Sequence, residues 1–260
     1  MLWLHECYFG AKKANESLHA LYTYDTGTVT LDNLTNTTQS GVSVQSKVYD
    51  LAGKLLDDQT VSGVTLGAQG VLNRVLRPRV PASTRPPTPA RTYFVELQLD
   101  QDGQTVDRNV YWLSTQQDIV NWPETIGRPQ ATVSQYANLT QLRSLPTARV
   151  TVSAVTQPQA GPDGTDTVTN VTITNTSTTP TVAFFLRADV RRGSVRGSPA
   201  PGDNEVLPIF WSDNDIALWP GESQTLHASY RRSGLRGAAP TVSVSGWNLP
   251  AIDLAARSRQ

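Results

Sequence analysis

A period of two runs through this chain and limits what it can fold into. Val29-Thr30-Leu31-Asp32-Asn33-Leu34 alternates apolar and polar residues, and so do Val42 to Tyr49, Tyr93 to Leu99 and Thr105 to Trp112. Alternation sends successive side chains to opposite faces of a strand, whereas a helix would repeat every three or four residues. Asp50-Leu51-Ala52-Gly53-Lys54 and Asp100-Gln101-Asp102-Gly103 separate these runs with residues that accept a positive φ, so both are expected as turns. The proline-rich stretch from Pro78 to Pro89 cannot lie inside a sheet, because proline donates nothing to the ladder. It is expected as an extended loop between two strands.

The second half repeats the pattern after a break at Asn121 to Pro129. Strands are expected over Ala148 to Ala154, Asp166 to Asn175, Val182 to Val190, Ile209 to Trp211, Ser223 to Tyr230 and Thr241 to Trp247. A turn is expected at Gly161-Pro162-Asp163-Gly164 and a loop from Gly193 to Asn204; helix is expected only near 135–143. Short strands at this spacing predict an all-β chain of two tandem antiparallel β-sandwiches. A shared phrase supports a duplicated, immunoglobulin-like plan. Leu31-Asp32-Asn33-Leu34-Thr35-Asn36-Thr37 in the first half resembles Ile173-Thr174-Asn175-Thr176-Ser177 in the second.

Composition fits this reading. The 260 residues leave room for two domains, and only 17% are charged. Polarity without charge suits sheets with one face in water better than amphipathic helices. Lys plus Arg and Asp plus Glu are both 22, so no net charge draws the chain to nucleic acid. No apolar run approaches the roughly 20 residues of a membrane span, so no membrane partner is expected. Met1 to Cys7 lacks the charged start of a secretory signal. Cys7 is the only cysteine, which rules out an intrachain disulfide.

Spacing yields no catalytic residue, metal site or cofactor. Glycoside hydrolysis needs two facing carboxyl groups, and the carboxylates of Asp57, Asp58, Asp100, Asp102, Asp163, Asp166, Asp213 and Asp215 read as solvated turn residues. Asp100-Gln101-Asp102-Gly103 lacks the later ligand positions of a calcium loop. His5, His19 and His227 are not spaced as metal ligands. Gly193-Ser194-Val195-Arg196-Gly197 departs from a nucleophile elbow. Among the aromatics, Trp112 and Trp247 end apolar alternations and read as core, and Trp219 reads as packed beneath the Pro220-Gly221-Glu222 turn. Trp211-Ser212-Asp213-Asn214-Asp215 sets an aromatic beside amides and carboxylates on an expected loop. Trp211 and Asp213 are therefore candidates for sugar contact.

Several longer stretches resemble one enzyme family. Tyr8 to His19 resembles the segment leaving the catalytic barrel of glycoside hydrolase family 2 exo-β-D-glucosaminidases and related β-mannosidases. Arg108 to Thr115 resembles the end of the immunoglobulin-like domain that follows the barrel. Leu207 to Asn214, Leu218 to Glu222 and Val244 to Asn248 resemble the last sandwich of the same enzymes. The resemblance implies two tandem immunoglobulin-like sandwiches from the C-terminal region of a secreted, extracellular enzyme. The parent's reaction would be retaining removal of β-1,4-linked glucosamine from chitosan oligosaccharides. Its catalytic glutamates lie in a (β/α)8 barrel, so no residue here inherits their roles. The barrel becomes the expected partner.

The expected division is 1–20 linker, 21–120 first sandwich, 121–130 linker, 131–252 second sandwich and 253–260 tail. Tyr111 and Trp112 are candidates for a reach from the first sandwich toward the barrel mouth, with bracing of the sandwich as the alternative. Three functions follow: a docking module, a sugar-binding module holding chitosan, or an enzyme in its own right.

Overall fold

The structure, a computed structural model, describes residues 4–160, 165–193 and 204–258. The expected turn at 161–164, the loop interior at 194–203 and the side chain of Cys7 lie outside the described residues. The chain forms two compact units, residues 1–145 and 146–260.

Unit one opens with helix α1, Leu4–Ala14. Nine strands follow: β1 Leu18–Thr23, β2 Thr28–Asn33, β3 Gln39–Asp50, β4 Leu55–Leu66, β5 Val71–Leu76, β6 Thr92–Gln101, β7 Gln104–Ser114, β8 Ile119–Val120 and β9 Val133–Gln135. A sheet ordered β1-β2-β5 faces one ordered β4-β3-β6-β7, and every pairing is antiparallel. Between them lie Leu18, Ala20, Val29, Leu31, Val44, Val48, Tyr93, Val95, Leu97 and Leu99. These are every second residue of their strands, the arrangement that alternation requires. The β6–β7 hairpin turns on Asp102 and Gly103, both at positive φ (52° and 75°), which matches the right-handed twist of the strands. The proline-rich stretch is a loop joining β5 to β6, as expected.

Unit two holds β10 Val150–Ala160, β11 Asp166–Asn175, β12 Ala183–Arg192, β13 Ile209–Trp211, β14 Ile216–Leu218, β15 Ser223–Arg231, β16 Pro240–Gly246, β17 Leu249–Ala255 and β18 Arg257–Ser258. The sheets are β13-β15-β11-β10-β18 and β14-β12-β16-β17. β11 alternates strictly between half-buried and buried residues. The chain is therefore all-β with two immunoglobulin-like sandwiches.

Five asparagines are buried among the described residues: Asn33, Asn109, Asn175, Asn214 and Asn248. Each amide supplies hydrogen bonds that the backbone lacks locally. Asn214 accepts from the Ala188 N–H at 2.8 Å and donates to the Ala188 carbonyl at 2.9 Å, imitating a neighbouring strand. Asn248 accepts from the Phe184 N–H and donates to the Pro146 and Val182 carbonyls. A chain poor in charge thus satisfies buried backbone groups with neutral amides, which cost less to desolvate than carboxylates or ammonium groups.

Four segments differ from expectation, the first being Leu4–Ala14, a helix where the sequence pointed to none. Residues 135–143 contain no α-helix; β9 is followed by a 3₁₀ turn at Thr140–Ser144. Asp57 and Asp58 lie in β4 rather than in a turn. The stretch from Ile119 to Gln135 forms a hairpin of β8 and β9 around a one-turn helix, α2, Trp122–Thr125.

Candidate functional site

The strongest concentration of polar groups in unit one lies along β7. Its odd residues from 107 to 113 face β1, and its even residues face outward. Asp107 Oδ2 accepts from the Ala20 N–H at 2.8 Å and lies 3.0 Å from His19 Nδ1. Asn109 Nδ2 donates to the Ala20 carbonyl at 3.1 Å and to Asp107 Oδ2 at 3.2 Å. The Tyr111 hydroxyl accepts from the Tyr22 N–H at 3.2 Å. β1 is an edge strand, so these backbone groups have no strand partner on that side; three side chains from the opposing sheet replace one. The row closes the sandwich edge, which blunts an exposed ladder.

Tyr111 also packs against Tyr22 and Tyr24, with ring centroids 5.9 and 6.1 Å apart, and Tyr22 lies 5.7 Å from Tyr24. Burial pushes the Tyr111 phenol up to about 12. Burial also raises Tyr22, partly offset by the Arg77 charge. Neither phenol is poised as an acid or base near neutral pH.

On the outer face of the same sheet, Glu96 of β6 binds Arg108 of β7. Glu96 Oε1 lies 2.6 Å from Nη2 and 2.7 Å from Nε. Lys13 of α1 donates to the Arg108 carbonyl at 3.0 Å. Glu96 and Asp107 are the buried carboxylates among the described residues, and neither was singled out from the sequence. They sit on opposite faces of one sheet, so they do not form the facing pair that glycoside hydrolysis uses. Among the described residues no three His, Cys, Asp or Glu side chains gather as a metal site.

The candidates chosen from sequence are separated. Tyr111 points into the sandwich and braces β1. Trp112, its neighbour, points outward and is 38% exposed, which corrects the core assignment. Trp247 is also exposed, at 57%, because it lies in the turn between β16 and β17 rather than within a strand. Trp211 shows the reverse correction: it ends β13, the strand expected over Ile209 to Trp211, and is 7% exposed rather than open for sugar contact, while its neighbour Phe210 faces solvent. Asp213 caps the next turn, accepting from the Asn214 N–H at 2.8 Å and from Gln224 Nε2 at 3.2 Å. Trp219 is buried under the Gly221 turn as expected, with its backbone N–H bound to Glu222 Oε2. Among the tryptophans of the described residues, Trp122 is the most open, at 66%.

Residues 28–118 match the mannosidase Ig/CBM-like domain, and residues 129–249 match the exo-β-D-glucosaminidase Ig-fold domain. The chain is thus made of immunoglobulin-like domains of the kind found in the exo-β-D-glucosaminidase family. It is similar to the exo-β-D-glucosaminidase of Streptomyces avermitilis, 41% identical over 93% of this chain and 25% of that protein. It is 40% identical to the enzyme of Amycolatopsis orientalis over 93% of this chain and 22% of that protein. The crystal structure of the A. orientalis exo-chitosanase superimposes with a TM-score of 0.81 at 35% identity, covering 96% of this chain and 27% of that one. The chain thus spans about a quarter of the length of these relatives and corresponds to immunoglobulin-like domains of the family.

Proposed function

We propose that this chain is the non-catalytic accessory region of a secreted, extracellular family 2 glycoside hydrolase of exo-β-D-glucosaminidase type, packing against and completing a catalytic (β/α)8 barrel. The observation that carries this reading is the pattern of coverage. Nearly the whole chain aligns with glucosaminidases, yet it accounts for only about a quarter of each. The internal chemistry agrees with it, since the two buried carboxylates are committed to holding strands together. The experiment is a pair of assays with a chromogenic glucosaminide. The chain alone should release no chromophore. A barrel-containing fragment of a relative should gain activity or thermal stability when this chain is added, and indifference to the addition would overturn the docking role.

A second reading, a module that holds chitosan, is favoured by the open rings of Trp122 and Trp247. Affinity electrophoresis in gels containing chitosan decides it. Unchanged migration, or retardation that survives Trp122→Ala and Trp247→Ala, would remove it.

A further inference from the structure

The end of the β1-β2-β5 sheet carries a feature that neither reading uses. Asp25 and Thr26 of the β1–β2 connection and Thr28 at the start of β2, with Arg74, Leu76 and Arg77 of β5 and its exit, line an open concavity of about 580 Å³. That volume falls within the range of small-molecule sites.

Arg74 is held there by the backbone. In the β2–β5 pairing, Val29 faces Leu76 and Leu31 faces Leu72, so four steps on β5 oppose two on β2. The surplus forms a bulge, and Arg74 at its apex adopts φ 57°. The left-handed region costs a non-glycine residue roughly 1–2 kcal/mol. Glycine would take this conformation without that cost, yet the position carries a long cationic side chain. Thr30 Oγ1 donates to Asn73 Oδ1 at 3.2 Å and ties the bulge to β2. Bulges that re-aim a side chain are concentrated at functional sites, and strain is tolerated where it serves one.

Among the described residues neither the Arg74 nor the Arg77 guanidinium has a hydrogen-bonded or ion-paired partner. Asp25, across the concavity, is occupied by its own loop: its Oδ1 accepts from the Thr26 N–H at 2.8 Å. Two guanidinium forks against one engaged carboxylate leave the concavity cationic. A guanidinium fork matches a carboxylate geometrically and binds it through paired, charge-assisted hydrogen bonds.

We propose that this concavity binds an acidic sugar, a uronate whose carboxylate is taken by Arg74 and Arg77 while its hydroxyl groups meet the hydroxyl of Thr26, which Thr28 Oγ1 holds in place at 2.7 Å. A glucosamine ammonium is repelled here, so the site is distinct from any chitosan contact and does not depend on the accessory role. The test is calorimetry on the whole 260-residue chain at low ionic strength. Trigalacturonate, the neutral cellotriose, the cationic glucosamine trimer and sodium acetate are titrated in turn. Trigalacturonate should bind at least about tenfold more tightly than the other three, and less tightly as salt is added. Arg74→Gly and Arg77→Gln should each weaken it by at least about tenfold. Arg74→Gly should do so without lowering Tm, because glycine relieves the backbone, and this separates lost binding from lost folding. The proposal is overturned if trigalacturonate does not bind, if cellotriose or acetate binds equally well, or if Arg74→Gly retains full affinity.

Discussion

Asn33 and Asn175 hold equivalent positions in the two units. Each ends the second strand of its own first hairpin, β2 and β11, and each is fully buried. Asn33 Oδ1 accepts from the Thr35 N–H at 3.0 Å, and Asn175 Oδ1 accepts from the Ser177 N–H at 2.9 Å. Each Nδ2 donates inward, Asn33 to the Thr37 and Gly67 carbonyls and Asn175 to the Thr181 and Leu218 carbonyls. The oxygen shapes the local turn and the nitrogen fastens it to a distant segment. Asn33→Ala and Asn175→Ala each leave buried carbonyls unpaired, at roughly 1–3 kcal/mol per orphaned group. Each should lower the urea midpoint by an amount corresponding to about 2–4 kcal/mol. Aspartate should be no better than alanine, because a carboxylate cannot donate to those carbonyls. A loss below about 0.5 kcal/mol would show that the turns hold without their pins.

Asp107 and Tyr111 both serve β1, but unequally. Asp107→Ala orphans the buried Ala20 N–H and removes a partner of His19 and Asn109; it should cost about 2–4 kcal/mol. Tyr111→Phe removes one neutral bond and should cost about 1 kcal/mol. Hydrogen exchange separates the two losses: Asp107→Ala should deprotect Ala20, and Tyr111→Phe should deprotect Tyr22. In an assembled enzyme the bracing role predicts unchanged kcat/KM for Tyr111→Phe. A tenfold or larger fall in kcat/KM with unchanged stability, about 1.4 kcal/mol in the transition state, would instead support a reach toward substrate.

The alternation of β2, β3, β6 and β11 was legible because each has one apolar and one polar face. β1 was not, because Leu18-His19-Ala20-Leu21-Tyr22-Thr23 breaks the period, and its polar partners lie about ninety positions away in β7. β5 was hidden by its own bulge. Alternation reveals a strand but not which phase faces the core when both phases are apolar. Val110 and Trp112 form one such set on β7, Tyr111 and Leu113 the other, and only the opposing sheet decides between them. The shared Asn33 and Asn175 phrases were visible as a repeat, yet their common hydrogen bonding emerges only when the distant carbonyls are placed.

The tyrosines give the chain an alkaline limit. Burial raises Tyr22, Tyr93, Tyr111 and Tyr230 above the ordinary value of 10.0, with Tyr111 at about 12. A group whose native value is raised contributes stability fully present below its unfolded value and lost as pH rises toward its native value. Stability should therefore be insensitive to these groups below about pH 9 and decline steadily between about 10 and 12. Tyrosinate absorbance at pH 11 should be far lower in the native chain than in the same chain in guanidinium. Equal absorbance in both would mean that the rings ionise freely.

The Glu96–Arg108 pair should behave as a unit. Removing one partner strands the other beneath the surface, so Arg108→Leu and Glu96→Leu should each cost about 3–5 kcal/mol. Replacing both with leucine should cost much less than the sum, because the burial penalty of two charges disappears with them. A double-mutant cycle measured by chemical unfolding checks this. Additive losses would show that the pair contributes no coupling.

Two glycines outside the turns should respond oppositely to alanine. Gly10 lies within α1 with nothing within 4 Å of an added Cβ, so Gly10→Ala should stabilise by about 0.5–1 kcal/mol through helix propensity. Gly246 ends β16, where an added Cβ would come within 2.9 Å of Leu186 Cδ2 and 3.0 Å of the Phe184 carbonyl oxygen. Leu186 is fully buried, and that carbonyl accepts from the Trp247 N–H at 2.9 Å, so neither can move aside without breaking other contacts. Gly246→Ala should therefore destabilise by about 1–3 kcal/mol, the usual result of overpacking a filled core. Thermal unfolding of the two variants should shift in opposite directions. A neutral Gly246→Ala would show that β16 and β12 can separate by the few tenths of an ångström that the methyl group requires.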